Sequence, residues 1–245
     1  MLNFIINIYT QAIYEPILNL LVALYNVIPG QDIGVVIILI TLVIRIILAP
    51  FMHKALRGQK EMSNMQPKIA ELREKFKDNR TEQTKAITEL YKENNINPFS
   101  SCLPLLIQLP ILIALYQVFD KALKGNLDGL YSFVSNPGVL NSMLFGWIDL
   151  ANPNIVLAII AGLVQFWQSW LITKSQNQEN MDPTMKAMSI PTMYVLPLVS
   201  IYIAWKLPAG LPLYWIITTL FAVGQQYYFN KTHVPKELVI KAKEV

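Results

Sequence analysis

The sequence predicts an all-α membrane protein: five transmembrane helices, an N-terminal interfacial helix and a cytoplasmic helical hairpin. Three observations carry this. Hydrophobic residues make up 53% of the 245 residues and charged residues only 15%, against roughly 25% charged in ordinary soluble domains. The apolar residues come in blocks near the ~20 residues that a hydrocarbon core requires, and none shows the period of two of a half-buried strand. The lysines and arginines collect in alternate connections between those blocks.

At the N-terminus, Phe4, Ile5, Ile8, Tyr9, Ala12 and Ile13 recur at helical spacing with Asn3, Asn7 and Gln11 opposite them. That is the pattern of a helix lying in the membrane interface. Glu15-Pro16 is expected to break it, and Ile17–Ile28 resumes as an apolar piece too short to span. Residues 1–32 therefore read as an extracytoplasmic interfacial region. They show neither a basic leader nor a small-residue cleavage site.

The predicted spans are Ile33–Phe51, Ser101–Phe119, Ile155–Thr173, about Ser189–Trp205, and Pro212–Phe229. With a cytoplasmic hairpin over 52–98 they form a core of residues 33–229, followed by a basic cytoplasmic tail, 230–245. The first 44 residues contain no Lys or Arg, while ten lie between Met52 and Pro98 and others flank the third, fourth and fifth spans. If the helices alternate, sixteen of the 20 basic residues fall on one side, with Arg45 inside the first span and only Lys121, Lys124 and Lys206 opposite. The positive-inside rule then puts the N-terminus outside and the C-terminus in the cytoplasm.

In the hairpin, Met62, Met65, Ile69, Leu72 and Phe76 follow a 3-4-3-4 spacing. Asp78-Asn79-Arg80 turns the chain, and Ile87, Leu90 and Tyr91 resume the stripe. Asn79 followed by Glu82 is a capping pair for the second helix. Pro67 is expected to start or kink the first. The stripe serves either as an adaptable, Met-bearing contact surface or as the hairpin's own packing face.

Several chemistries are disfavoured. Cys102 is alone, His53 and His233 are the only histidines, and there is no phosphate-binding glycine loop. Nothing calls for a metal, a cofactor, a catalytic nucleophile or nucleotide hydrolysis, so the chain is not expected to be an enzyme. The net charge of +4 is explained by topology, without a nucleic-acid motif.

The singular feature is Arg45 within "TLVIRIILAPF" (41–51). It lies about 9 Å of helix rise from Phe51, within partial snorkelling reach of the inner surface. A lone charge there costs on the order of 3 kcal/mol and usually faces water or polar partners. Thr41 precedes it by one turn on the same face. The second span offers Gln108; the third offers Gln165, Gln168 and Ser169 on one face; the fourth offers Thr192 and Ser200; the fifth offers Thr218, Thr219, Gln225 and Gln226. Singly such residues glue helices together. Together, beside one arginine, they favour a hydrated cavity.

"MQPKIAELREKF" (65–76), "LYKENNINPFSSCLPLLIQLPILIALYQVF" (90–119) and "DPTMKAMSIPTMYVLPLVSIYIAWKLPAGLPLYWIITTLFAVGQQ" (182–226) resemble the YidC family of membrane protein insertases, in matching order from Ile33 to Gln226. Residues before the first span resemble the smaller Gram-positive-type members, which have no large periplasmic domain. The resemblance implies that Arg45 lies in a hydrophilic groove open to the cytoplasm and lipid and closed outside. There it receives the short, acidic tails of nascent membrane proteins, whose apolar helices then pass into lipid. Gln108, Trp215 and Thr218 would line that groove with Thr41, and Gln165, Gln168 or Ser169 would supply the third-span contact. The implied partners are the ribosome and signal recognition particle pathway, engaged by the hairpin, and the Sec translocon, in a bacterial cell membrane. The rival reading is a small transporter or channel for an anionic solute that uses Arg45 as its binding charge. An odd number of spans and the long hairpin fit it poorly.

Overall fold

The computed structural model describes residues 2–97, 103–175 and 191–232. Cys102, His233, the start of the fourth predicted span and the tail beyond Thr232 lie outside these ranges.

The chain opens with α1 (Leu2–Tyr9), a π-helical turn (Thr10–Tyr14) and α2 (Glu15–Val27). Glu15-Pro16 does not break this path, contrary to the sequence expectation. Pro16 falls in the first turn of α2, where its missing N–H forfeits little, and the π turn absorbs the change of register. The apolar piece that follows is structural: Leu18, Leu21, Val22 and Tyr25 are buried in the main core.

Helix α3 runs 43 residues, from Ile33 to Lys75. It begins at Asp32, whose side chain accepts from Val35 N at 3.0 Å. Pro50 and Pro67 both lie inside it, so the first predicted span and the hairpin's first helix are one element. Each proline removes one backbone bond, and the intact turns on either side carry the helix through. After the turn, α4 (Arg80–Glu93) starts as predicted, with the Asn79 side chain accepting from Glu82 N at 3.2 Å.

The hairpin has its own small core. Met65 and Ile69 on α3 bury against Leu90 and Ile96, with Met62, Leu72, Ile87 and Tyr91 packed around them. Of its two readings, the stripe is thus the hairpin's own packing face. Its central residues are only 1% and 2% exposed, because the second helix folds back onto the same face.

The remaining helices are α5 (Leu103–Ala122), α6 (Ile155–Ser175), α7 (Leu196–Lys206, entered through a π turn at Pro191–Val195) and α8 (Gly210–Thr232). Helix α8 packs on α3 and α6, and α6 packs on α7. The α6–α7 contact is close: a Cβ on Gly162 would collide with Ile201 and come 3.2 Å from the Pro197 carbonyl. Among the described residues, two helices are long and apolar enough to cross a membrane, Ile33–Lys75 and Ile155–Lys174. The mostly helical membrane fold agrees with the sequence.

Between α5 and α6 the chain folds over one end of the bundle. It includes a two-stranded antiparallel ribbon, β1 (Met143–Leu144) and β2 (Ile148–Asp149), a small departure from all-α. Asn19 on α2 donates to Gly129 O at 2.9 Å and accepts from Tyr131 N at 2.7 Å. Tyr25 Oη accepts from Asn141 N at 2.8 Å, and Gly210 N donates to Leu150 O at 3.1 Å. Hydrogen bonds from Ser142, the Ala151 backbone and Asn152 hold the Asp149 carboxyl below its usual range. This cap seals its end. The main buried apolar cluster spans α2, α3 up to Ile40, α5 from Ala114, α6 up to Ala161 and α8 up to Ile216, which is the cap-side part of each of the four long helices.

Candidate functional site: a polar layer beneath the cap

The polar layer begins where the apolar cluster stops. On α3 the next residue after Ile40 is Thr41, and one turn further comes Arg45. Both are buried, Arg45 at 7% exposure. The Thr41 hydroxyl donates to Ile37 O of its own helix, so it lines the layer without touching the guanidinium.

Arg45 is held from two other helices. Its Nε donates to Thr218 Oγ1 of α8 at 3.3 Å, and its Nη2 donates to Gln108 Oε1 of α5 at 3.2 Å. An arginine can only donate, so Gln108 must present its oxygen here, which turns its Nε2 outward. That nitrogen donates to Tyr214 Oη. Tyr214 and Thr218 are four residues apart on α8, hence on one face. The result is a chain, Tyr214–Gln108–Arg45–Thr218, in which three neutral groups hold one charge and join α3, α5 and α8.

The electrostatics are unusual for a buried arginine. Arg57–Glu61, Lys77–Glu74 and Lys124–Asp120 form ion pairs, whereas Arg45 forms none with a described residue. Its charge is solvated by dipoles without being cancelled. Nη1 makes no hydrogen bond, yet Gln66 Oε1 is the only fully buried, unpartnered side-chain polar atom among the described residues. Nη1 is therefore not fully buried, and the guanidinium keeps donors that no described residue satisfies.

A second polar pair lies alongside. Trp215 Nε1 donates to Gln165 Oε1 of α6 at 2.9 Å. Adjacent residues on a helix point about 100° apart, so α8 offers Tyr214 to α5 and Trp215 to α6. Ser169 is buried one turn beyond Gln165, and Thr173 Oγ1 donates to its carbonyl at 2.9 Å. Gln168 is half-buried with no side-chain hydrogen bond among the described residues. The sequence-predicted set thus divides. Arg45, Gln108 and Thr218 meet directly; Trp215 and Gln165 meet each other; Thr41, Ser169 and Gln168 make no hydrogen bond to Arg45.

Tyr214 was not among the predicted residues. Its ring reads as core apolar in sequence, and only its position four residues before Thr218 on a helix could have flagged it. Outside the layer the same helices present apolar side chains: Ile46 and Ile47 on α3 and Leu106 on α5 are all more than half exposed. A guanidinium a few residues from exposed isoleucines suits a boundary between a polar notch and lipid.

Comparison with known proteins extends this picture. The family described as "60Kd inner membrane protein" matches residues 23–237. The chain is 37% identical over 207 residues to a membrane protein insertase YidC of Listeria monocytogenes, covering 82% of this chain and 65% of that protein. It is 36% identical over 210 residues to the membrane protein insertase YidC of Clostridium tetani, covering 83% of this chain and 84% of that one. For the YidC of Geotalea daltonii the figures are 35% over 225 residues, with 91% and 38% covered. The chain thus spans just under two thirds of the Listeria relative and little more than a third of the Geotalea one.

Proposed function

The chain belongs to the 60Kd inner membrane protein family, the family of the YidC insertases, and on that premise we propose that it inserts nascent membrane proteins by receiving their short acidic tails beside Arg45. The carrying observation is the uncancelled guanidinium, bound only by Gln108 and Thr218, beneath an end sealed by the cap. In a low-dielectric notch such a charge attracts a carboxylate far more strongly than it would in water. Polar lining shortens the apolar barrier the tail must cross, and burial of the client's own helix in lipid supplies the favourable free energy. The protein itself consumes no nucleotide in this scheme and performs no covalent chemistry.

The proposal includes five spans, α3, α5, α6, α7 and α8, with the N-terminus and cap outside and the hairpin in the cytoplasm. The charge distribution supports it. The self-packed hairpin, residues 52–98, is a docking element for the ribosome, the signal recognition particle pathway or the client, with the Sec translocon as a further partner. Its exposed faces serve this role, because Met65 and Ile69 are occupied internally.

The test is insertion of a small client with an acidic tail into liposomes containing only this protein. Solute flux is followed in the same vesicles. Insertion without flux supports the insertase; anion flux without insertion would establish the transporter reading.

A further inference from the structure

We propose that the ribbon turn Leu144–Trp147 dips into the outer leaflet, with Phe145 and Trp147 as the lipid contacts that fix the depth of the cap. This rests on the reading that α3 crosses the membrane and adds a lipid-binding element to it.

The first observation is compositional. From Tyr131 to Ile148 the chain runs 18 residues without a charge, in a connection where charged residues would be ordinary. Within that run Trp147 is 90% exposed and Phe145 67%. Large rings are rarely left so open to water.

The second observation is that the turn is built to hold them out. Trp147 N donates to Leu144 O at 3.0 Å, and the two central residues have φ of +50° at Phe145 and +74° at Gly146. This is the type I′ geometry of tight hairpins. Asn or Asp is the favoured side chain at the first of those positions. Here a phenylalanine takes it, and its ring faces outward.

The third observation sets the level. Leu144 points inward into the space that Gly34 leaves on α3; any Cβ at Gly34 would collide with it. Phe145 N donates to the Asp32 carboxylate, the same group that caps α3. The two exposed rings are therefore pinned beside the first residues of the span, where an apolar helix emerges from hydrocarbon. Indole rings favour that zone. At the same end of the bundle, α7 finishes with exposed Trp205 and with Lys206 Nζ 4.7 Å from its ring centroid, a ring-and-snorkelling-lysine pair suited to the same interface. The absence of charge in the run fits the apolar boundary of a leaflet better than a protein partner, whose interface would carry a polar rim.

The test places a nitroxide at Trp147→Cys in a Cys102→Ser background, with Ile47→Cys and Asn126→Cys as references. The protein is reconstituted in vesicles of phosphatidylethanolamine and phosphatidylglycerol. Ile47 is 63% exposed on α3 and reports the lipid environment of the span; Asn126 is exposed in the cap connection. The Trp147 label should collide with dissolved oxygen more readily than with a water-soluble nickel chelate, at a depth of about 5–10 Å. Nickel accessibility equal to that at Asn126 would overturn the wedge. So would an immobile label shielded from both reagents, since protein would then cover the turn. If the Ile47 label is itself aqueous, the spanning reading fails first, and the two failures are told apart. Retained client insertion by each variant checks that it is folded.

Discussion

Arg45 and Gln108, 63 positions apart, are joined by a hydrogen bond of 3.2 Å in which the acceptor carries no charge. Most buried arginines are matched with a carboxylate, and leaving one unmatched is costly. Here dipoles from Gln108 and Thr218 hold the charge in place and leave its field available. In the proposed function the pair is a receptor for an anion that arrives and departs.

If the charge is what matters, Arg45→Lys should keep most insertion activity and Arg45→Ala should lose it. For a client with an acidic tail the expected fall in initial rate for Arg45→Ala is about tenfold, equivalent to losing ~1.4 kcal/mol of attraction. A client whose tail carboxylates are neutralised should respond far less. Equal dependence for both clients, with each variant folded, would refute the attraction mechanism. Any residual defect in Arg45→Lys measures what the planar fork contributes.

Gln108→Glu places a carboxylate where the amide oxygen now sits and gives Arg45 an internal partner. Its melting temperature in detergent should be no lower than that of the parent. Its insertion of acidic-tailed clients should fall to the level of Arg45→Ala, because the guanidinium is already paired. High activity in this variant would show that the groove does not work by leaving its charge free.

Gly162→Ala should destabilise the bundle by about 1–3 kcal/mol, the usual cost of overpacking, since the new methyl meets Ile201 and the Pro197 carbonyl. Combining it with Ile201→Ala should recover part of the loss, as expected for residues in contact. Thermal denaturation in detergent reads both. A neutral Gly162→Ala would mean that α6 and α7 are less closely apposed than described.

Because the hairpin buries Met65, Ile69, Leu90 and Ile96 in a cluster of their own, deleting residues 62–94 should leave the melting of the bundle nearly unchanged. Delivery of ribosome-bound clients should drop. A deletion variant that is degraded or unfolded would instead make the hairpin part of the bundle's stability.

Topology is tested by labelling single cysteines in intact cells, in a Cys102→Ser background. Asn126→Cys and Asn136→Cys should react with an impermeant maleimide from outside, and Lys75→Cys only after the cells are opened. External reaction at Lys75 would reverse the assigned orientation.

Hydropathy and charge placement were legible in the chain itself. The bilayer is a solvent, and a span must be apolar over its whole length whatever it packs against. Arg45 was legible for the same reason, as a violation of that requirement, and so was the Asn79 cap, whose bond to Glu82 N is local. Tertiary structure decided which neighbours serve Arg45. Tyr214 and Trp215 are adjacent in sequence, and the rotation of α8 against α3 and α6 gave Tyr214 to Gln108 and Trp215 to Gln165. It likewise carried α3 through Pro50 and Pro67 and turned Met65 inward. Local pattern states what a residue requires, but its azimuth on a helix is settled by packing against residues as many as 173 positions away.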